Sequence, residues 1–527
     1  MMYSASLLLA SALVVPAAEI PLRERIDARL QEVWTQGKIV PAQPASDSAF
    51  LRRIYLDLVG TVPTYDETRA FLDDKRADKR QRLIDQLLAD PRFALHQADT
   101  WDMVLFGRNP PGYDTDKREG FQAWLRSRFE KNIPYDAWVR ELLRADGNTV
   151  DNGALYYVQY RGAPEDATEA ISQTFLGVQL QCARCHDHPY EPWKQVDFYG
   201  MAAFLARLDV VSVGKKGNQT IYAIGEHDVG EVRFTGPAKD AAPGKKGEPV
   251  RPRFLAGALL DEPKASESAR PPRFKPNQMP PAPRFSRKDR LAAWITAQDN
   301  PYFARAVANR VWAQFLGRGI VHPVDNLSKS NPAGIPDLLD TLAHELVQHK
   351  FDLKWFIREL VNTRVYQLSS ASTGEAMPDL YQHARTRPLS AEELTAAWRV
   401  VTGAEAAERA RPKPGARSRT LDGYLLQFFG SPTNGTGDFQ GGVQEHLYLN
   451  NGPLSQLIQG GKGSLAEFVA DGKRPVADRV ERLYLQTLQR RPTTAEAERF
   501  TAFLDGKGAP ADAIWVLITS SEFRFNH

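Results

Sequence analysis

The sequence predicts a mainly α protein of multi-helix domains with a small β insertion. Three observations carry that expectation. Apolar residues recur at helical intervals through the first and last thirds of the chain. Ser, Thr or Asp stands where those segments begin. An alternating texture is confined to a stretch after residue 208.

The elements follow in order. Leu7 to Val15 form a short apolar run before Pro16-Ala17-Ala18, the pattern of an export signal cut near Ala17 or Ala18, although Met1 to Ala5 carry no Lys or Arg. Residues 1–18 are therefore assigned to a signal peptide and the mature chain to an exported, periplasmic or cell-surface location. No later segment reaches ~18 unbroken apolar residues, so no transmembrane span is expected.

Residues 19–207 read as an N-terminal helical domain. Ser46 and Asp47 precede Phe50-Leu51-Ile54-Tyr55-Leu58, and Thr64 caps a segment holding Phe71-Leu72. Asp78 precedes Leu83-Ile84-Leu87-Leu88, which stops at Asp90-Pro91 because proline disfavours helix at the residue before it. Phe121 to Phe129 and Tyr135 to Leu143 continue the pattern. Pro164 opens a helix with Ala167, Ala170, Ile171, Phe175 and Val178 on one face, which delivers the chain directly to Cys182. A further helix is expected from Lys194 to Leu205.

Residues 208–284 read as a β insertion and Pro-rich linker. Val210-Val211-Val213 and Ile221-Tyr222-Ala223-Ile224 alternate as strands, while 236–250 and 261–284 have the composition of exposed loop. Residues 285–527 form a C-terminal helical domain, with helices from Arg287, past Asn300-Pro301, over Ile335 to His349, Leu353 to Leu360 and Ser390 to Val401. A glycine-rich interruption at 430–437 precedes the last helical block. A weak repeat links the two ends: Ile54-Tyr55-Leu56, Pro63-Thr64 and Phe71-Leu72-Asp73 find counterparts in Leu483-Tyr484-Leu485, Pro492-Thr493 and Phe503-Leu504-Asp505.

Net charge is +3, and basic clusters such as Lys215-Lys216 and Lys245-Lys246 lie beside glycine without interleaved aromatics. That balance excludes nucleic acid as an expected partner.

The chemistry concentrates in Cys182-Ala183-Arg184-Cys185-His186, which uses both cysteines of the 527-residue chain. Cys-x-x-Cys-His is the spacing that attaches a c-type haem: Cys182 and Cys185 form the thioethers and His186 reaches the iron. Met201, on the next predicted helix, is the first candidate for the opposite axial position. A zinc-type site is the alternative, with Cys182, Cys185, His186 and His188 as ligands and Asp187 or Asp197 nearby. A local Cys182–Cys185 disulfide with no cofactor is the third possibility. Asp187 and Asp197 are otherwise helix caps.

Other motifs fail on geometry. His344 and His349 are i, i+5, roughly 140° apart on a helix, so they do not share a face as zinc-protease ligands do. Gly460-Gly461-Lys462-Gly463 lacks the Ser or Thr that a phosphate loop needs directly after Lys. No paired carboxylates or nucleophile elbow mark the chain as an enzyme.

The run from Phe175 to Pro189, closing at Asp197-Phe198-Tyr199, resembles an exported paralogous family expanded in planctomycetes. That family pairs two domains of unknown function (DUF 1549 and DUF 1553), the first linked by name to accompanying cytochrome c domains. Leu51-Arg52-Arg53-Ile54-Tyr55-Leu56-Asp57-Leu58 resembles the opening of the first domain. Asn300-Pro301-Tyr302-Phe303, Asn309-Arg310-Val311-Trp312, Phe315-Leu316-Gly317-Arg318-Gly319 and Tyr366-Gln367-Leu368-Ser369 are similar to the second. The resemblance implies no assigned reaction. No separate cytochrome domain with its own Cys-x-x-Cys-His precedes the first domain, and the segment around Asn434 lacks the cysteines of some relatives.

The sequence therefore points to an exported c-type haem-binding electron-transfer component serving an unknown redox or exported protein partner. The alternative is a scaffold or binding protein with a zinc-type or disulfide knuckle. A further one, implied only by the setting of such families, is an accessory role in polysaccharide degradation.

Overall fold

Helix α1 (Leu22–Gly37) lays Leu22, Ile26, Leu30 and Trp34 against the core at intervals of four, the spacing that puts side chains on one helix face. The structure, a computed structural model, describes residues 20–107, 118–149, 152–216, 219–234, 247–255, 257–263, 274–275, 277–371, 377–403, 454–459 and 461–527. The expected signal segment 1–18, the lysines 245–246 and the glycine-rich stretch 430–437 lie outside those residues.

Helix α2 (Asp47–Val59) is capped by Ser46, whose hydroxyl accepts from the Ala49 amide, and every residue from Phe50 to Val59 is buried. It is a central helix rather than a surface one, so Arg52, Arg53 and Asp57 go into the interior with the apolar residues. Helix α3 (Tyr65–Asp73) starts on a reciprocal cap between Thr64 and Glu67, and α4 (Lys79–Ala89) ends at Asp90. The Asp90-Pro91 pair is both a stop and a start. Asp90 accepts from the Arg92 amide and Pro91 takes the first position of α5 (Pro91–Phe106), a helix that the sequence pattern did not announce. Helices α6 (Arg118–Glu130) and α7 (Tyr135–Arg144) follow as expected.

Helix α8 (Pro164–Ile171) is shorter than its apolar face implied and opens into a wide turn over Ser172–Leu176. Helix α9 (Gln195–Ala202) likewise ends before Leu205, where the chain turns toward the sheet. That sheet is an antiparallel hairpin of β2 (Leu208–Lys216) and β3 (Gln219–Glu226), joined on its other edge by β1 (Gly147–Asn148) from the helical region. Val210 pairs with Ile224, and a bulge falls between Ser212 and Gly214. Short strands β4 (Val232–Arg233) and β5 (Pro249–Val250) pair beside it. The described part of the linker is not free: Phe274 stacks on His227 with centroids 3.9 Å apart, and the Asn277 amide donates to the Ser212 carbonyl.

Helices α10 (Arg287–Ile295), α11 (Phe303–Leu316), α12 (Pro336–Gln348) and α13 (Leu353–Val361) complete the main core, which runs without a break from α1 to α13. Helix α14 (Ala391–Thr402) heads a second core shared with α15 (Leu454–Gln459), α16 (Leu465–Ala470), α17 (Val476–Thr487), α18 (Thr494–Asp505), α19 (Pro510–Ile518) and α20 (Ser521–Arg524). Leu56 and Val62 reach from the α2 region into it. Strands β6 (Arg387–Pro388) and β7 (Phe525–Asn526) tie the C-terminus back. Thr493 and Glu496 at α18 repeat the reciprocal cap of Thr64 and Glu67 at α3. The chain is thus mainly α with small β additions.

Candidate functional site

The approach to the cysteines is set by Gly177. Its φ of 66° ends the Ser172–Leu176 turn in the left-handed region, where a side chain is strained. A Cβ there would also lie 2.8 Å from Leu327. Close contact is what the site uses: the Leu327 amide donates to the Gly177 carbonyl at 2.7 Å, and Gln173 donates to Asp325 at 2.6 Å. The Cys-x-x-Cys-His segment is therefore not at the end of a continuous helix. It occupies its own 3-10 turn, Gln181–Arg184, fixed to the 325–327 loop by the preceding residues.

Within that turn the Cys185 and His186 amides both donate to the Cys182 carbonyl at 3.3 Å. Ala183 is buried beneath it, while Cys182, Cys185 and His186 are exposed on the outside. The two thiols are free. Behind them Arg184 is held on both ends. Its guanidinium reaches Asp166 at 2.8 Å and Glu169 at 3.3 Å, and its carbonyl accepts from the Tyr199 hydroxyl and the Gln195 amide group on α9.

His186 Nδ1 lies 2.7 Å from the Asp187 carbonyl oxygen, which can only accept, so Nδ1 donates this bond and in the neutral ring the Nε2 lone pair is free. A backbone carbonyl on one ring nitrogen is the arrangement that orients a ligating imidazole.

The remaining sequence candidates have other work. His188 Nδ1 accepts from the Tyr190 and Glu191 amides at 3.2 and 3.1 Å, so that nitrogen is spent on the loop. Asp187 accepts from the Gln195 amide at 3.0 Å and Asp197 from the Lys194 amide at 2.9 Å, both at the start of α9. Met201 is 1% exposed within the main core. Among the described residues no three His, Cys, Asp or Glu side chains converge as a metal-binding group. Asp187 and Asp197 thus accept at the start of α9, and His188 accepts within its own loop.

The loop after the turn docks elsewhere. Glu191 accepts from the Ser330 hydroxyl and amide at 2.5 and 3.1 Å. Burial pulls its carboxyl upward, but these donors outweigh it and hold the group below its usual range. Trp193 is buried edge-on against Tyr302, centroids 6.3 Å apart, at the head of α11.

Residues 25–210 match the family described as PSCyt2, a protein of unknown function (DUF1549), and residues 287–424 match PSD1, a protein of unknown function (DUF1553). The chain belongs to the family that pairs these two domains. No curated protein and no solved structure matches it. The DUF1549 part carries the Cys-x-x-Cys-His turn; the DUF1553 part supplies the 325–331 loop and the α11 head against which the turn is braced. Motif residues of DUF1553 sort by role. Asn300 caps α11 through the Tyr302 and Phe303 amides. Buried Asn309 staples the following loop through the backbone of Val321 and Val324.

The DUF1549 motif is equally interior. Arg53 donates to the Tyr366 and Leu368 carbonyls at 2.7 and 2.8 Å, and Arg52 to Gln489 at 2.5 Å. Asp57 accepts from Arg387, from the Tyr366 hydroxyl and from Asn526. Sequence reasoning did not bring this junction together, nor Asp99 beside it, because α5 was not foreseen. The signal available was Asp90-Pro91 as a cap followed by a first-position proline. Among the described residues no helix is long and apolar enough to cross a membrane.

Proposed function

We propose that the chain is an exported c-type haem-binding electron-transfer component, with Cys182 and Cys185 as the attachment residues and His186 as the axial ligand. The observation that carries the reading is the His186 tautomer. Its Nε2 lone pair is left available by the Nδ1 contact to Asp187, on the same exposed turn as two free thiols. A haem attached there supplies one-electron transfer. The protein's own part is to brace the turn through Arg184 and α9, and to present the thiols outward to the attaching machinery. The donor set fits covalent attachment and ligation from one side. Met201 lies in the core and His188 Nδ1 is engaged by its own loop, so the residues that would hold the haem are Cys182, Cys185 and His186.

The test is production of the mature chain in a periplasm equipped for c-type haem attachment. The expected result is a mass increase of one haem that survives denaturation, with a sharp reduced α band, both lost in the Cys182→Ala/Cys185→Ala double variant. Colourless protein with two alkylatable thiols overturns the proposal. Colourless protein with an internal disulfide replaces it with a dithiol knuckle.

A further inference from the structure

A cavity of about 320 Å³ lies where the two domains meet. Its walls come from both: Asp57, His96 and Asp99 from DUF1549, and Arg310, His322 and Glu393 from DUF1553. That volume falls in the range of small-ligand sites, ~300–1,000 Å³. Trp101, Val104, Ala313 and Val324 contribute apolar lining.

Two charged groups on this lining lack protein partners. Among the described residues Arg310 makes no hydrogen bond or ion pair, although burial works against its charge and only the more distant Asp325 and Tyr135 favour it. Asp99 likewise makes none. A guanidinium that lines a largely apolar cavity without a protein counter-charge has its donors free, and an anionic ligand supplies the charge-assisted pair it lacks. The charges acting on Asp99 are Glu392, Asp102 and Arg126, and those acting on Arg310 are Asp325 and Tyr135. Neither set contains the other group, so Arg310 and Asp99 are not paired with each other although both line the cavity.

We propose that this inter-domain cavity binds a small organic carboxylate with an apolar body and a second, hydrogen-bonding group, the carboxylate on Arg310 and the second group on Asp99. The site is assembled only when both domains are present, which gives their pairing in one chain a physical reason. Burial, then Glu392 and Asp102, push the Asp99 carboxyl up to about 7, so near neutrality it can donate as well as accept. Burial keeps the His96 and His322 imidazoles below their ordinary range, leaving them neutral beside the ligand. None of this depends on a haem at Cys182 and Cys185.

Calorimetric titration of the full mature chain with 4-hydroxybenzoate tests the proposal, with benzoate and phenol as comparators. The expected result is binding of 4-hydroxybenzoate ahead of benzoate, and of both well ahead of phenol. Arg310→Gln should weaken carboxylate binding by roughly tenfold or more, the loss of a charge-assisted pair. Asp99→Ala should erase the advantage of 4-hydroxybenzoate over benzoate. The comparison of the three probes on the unaltered protein needs no variant to fold. Phenol binding as tightly as the carboxylates, no binding of either carboxylate in the low millimolar range, or carboxylate affinity unchanged in folded Arg310→Gln each overturns the proposal.

Discussion

Asp57 on α2 accepts a hydrogen bond from Arg387 at 2.9 Å across 330 residues of sequence, and both line the cavity between the domains. Arg387 is also bidentate to Glu393 at 2.7 Å, which holds Glu393 below the usual carboxylate range against the opposing effect of burial. For Asp57 burial is the larger influence, and its carboxyl sits above its ordinary value despite the pairing. One guanidinium thus joins the opening motif of DUF1549 to the helix α14 cap, and Tyr366 and Asn526 supply two further donors to Asp57.

Removing Asp57 should therefore loosen both domains at once. Asp57→Ala leaves the Tyr366 hydroxyl and the Asn526 amide facing a void, and is expected to cost about 3–5 kcal/mol, the range for breaking a buried ionic network. Tyr366→Phe removes one donor and should cost about 1 kcal/mol. Thermal unfolding of the two variants checks the order; equal losses would contradict it.

Gly177→Ala should destabilise by about 1–3 kcal/mol, because an L side chain is strained at positive φ and its Cβ meets Leu327. The damage should be local to the cysteine turn. Hydrogen exchange is expected to quicken in residues 178–188 and in the 325–331 loop, with α1 unchanged.

His186 and the cysteines should separate in their effects on the proposed haem. His186→Ala is expected to keep the covalent mass increase and lose the sharp reduced α band, since attachment uses the thiols and ligation uses the imidazole. Loss of attachment in His186→Ala would deny the imidazole a separate role.

Asp99 should make stability depend on pH in an uncommon direction. Glu392 from α14, Asp102 on its own helix and Arg126 from α6 face it, and burial dominates, so its folded value of about 7 exceeds the unfolded one. The folded chain then holds the extra proton between roughly pH 4 and 7, and this contribution is full at low pH and lost as pH rises through that window. Asp99→Asn should match the parent near pH 4 and exceed it by roughly 1–3 kcal/mol near pH 8, after allowance for partial solvent screening. Urea unfolding of both proteins at the two pH values measures the difference, and a constant offset would refute the assignment.

The helices that sequence reading located are those whose caps and apolar faces are local. Ser46, Thr64 and Ser390 each accept from an amide three residues on, and their helices begin where the pattern placed them. Helix α5 was missed because Asp90-Pro91 carries stop and start signals in the same two residues. The continuation of α8 toward Cys182 was over-read, since Gly177 ends the turn for a reason that lies in Leu327, 150 positions away.

What the sequence determined by itself is the helical class, the β insertion after residue 208, the family and the one segment able to carry a thiol-linked cofactor. All of these rest on spacing within a few residues, and such spacing survives without knowledge of the partner. Tertiary structure alone decided that Arg52, Arg53 and Asp57 are interior, that His188, Asp187 and Asp197 serve the loop and helix start, and that Arg310 and Asp99 share one cavity. Burial and long-range pairing assign those roles, and a side chain's neighbours from the other domain leave no periodic trace in its own stretch of sequence.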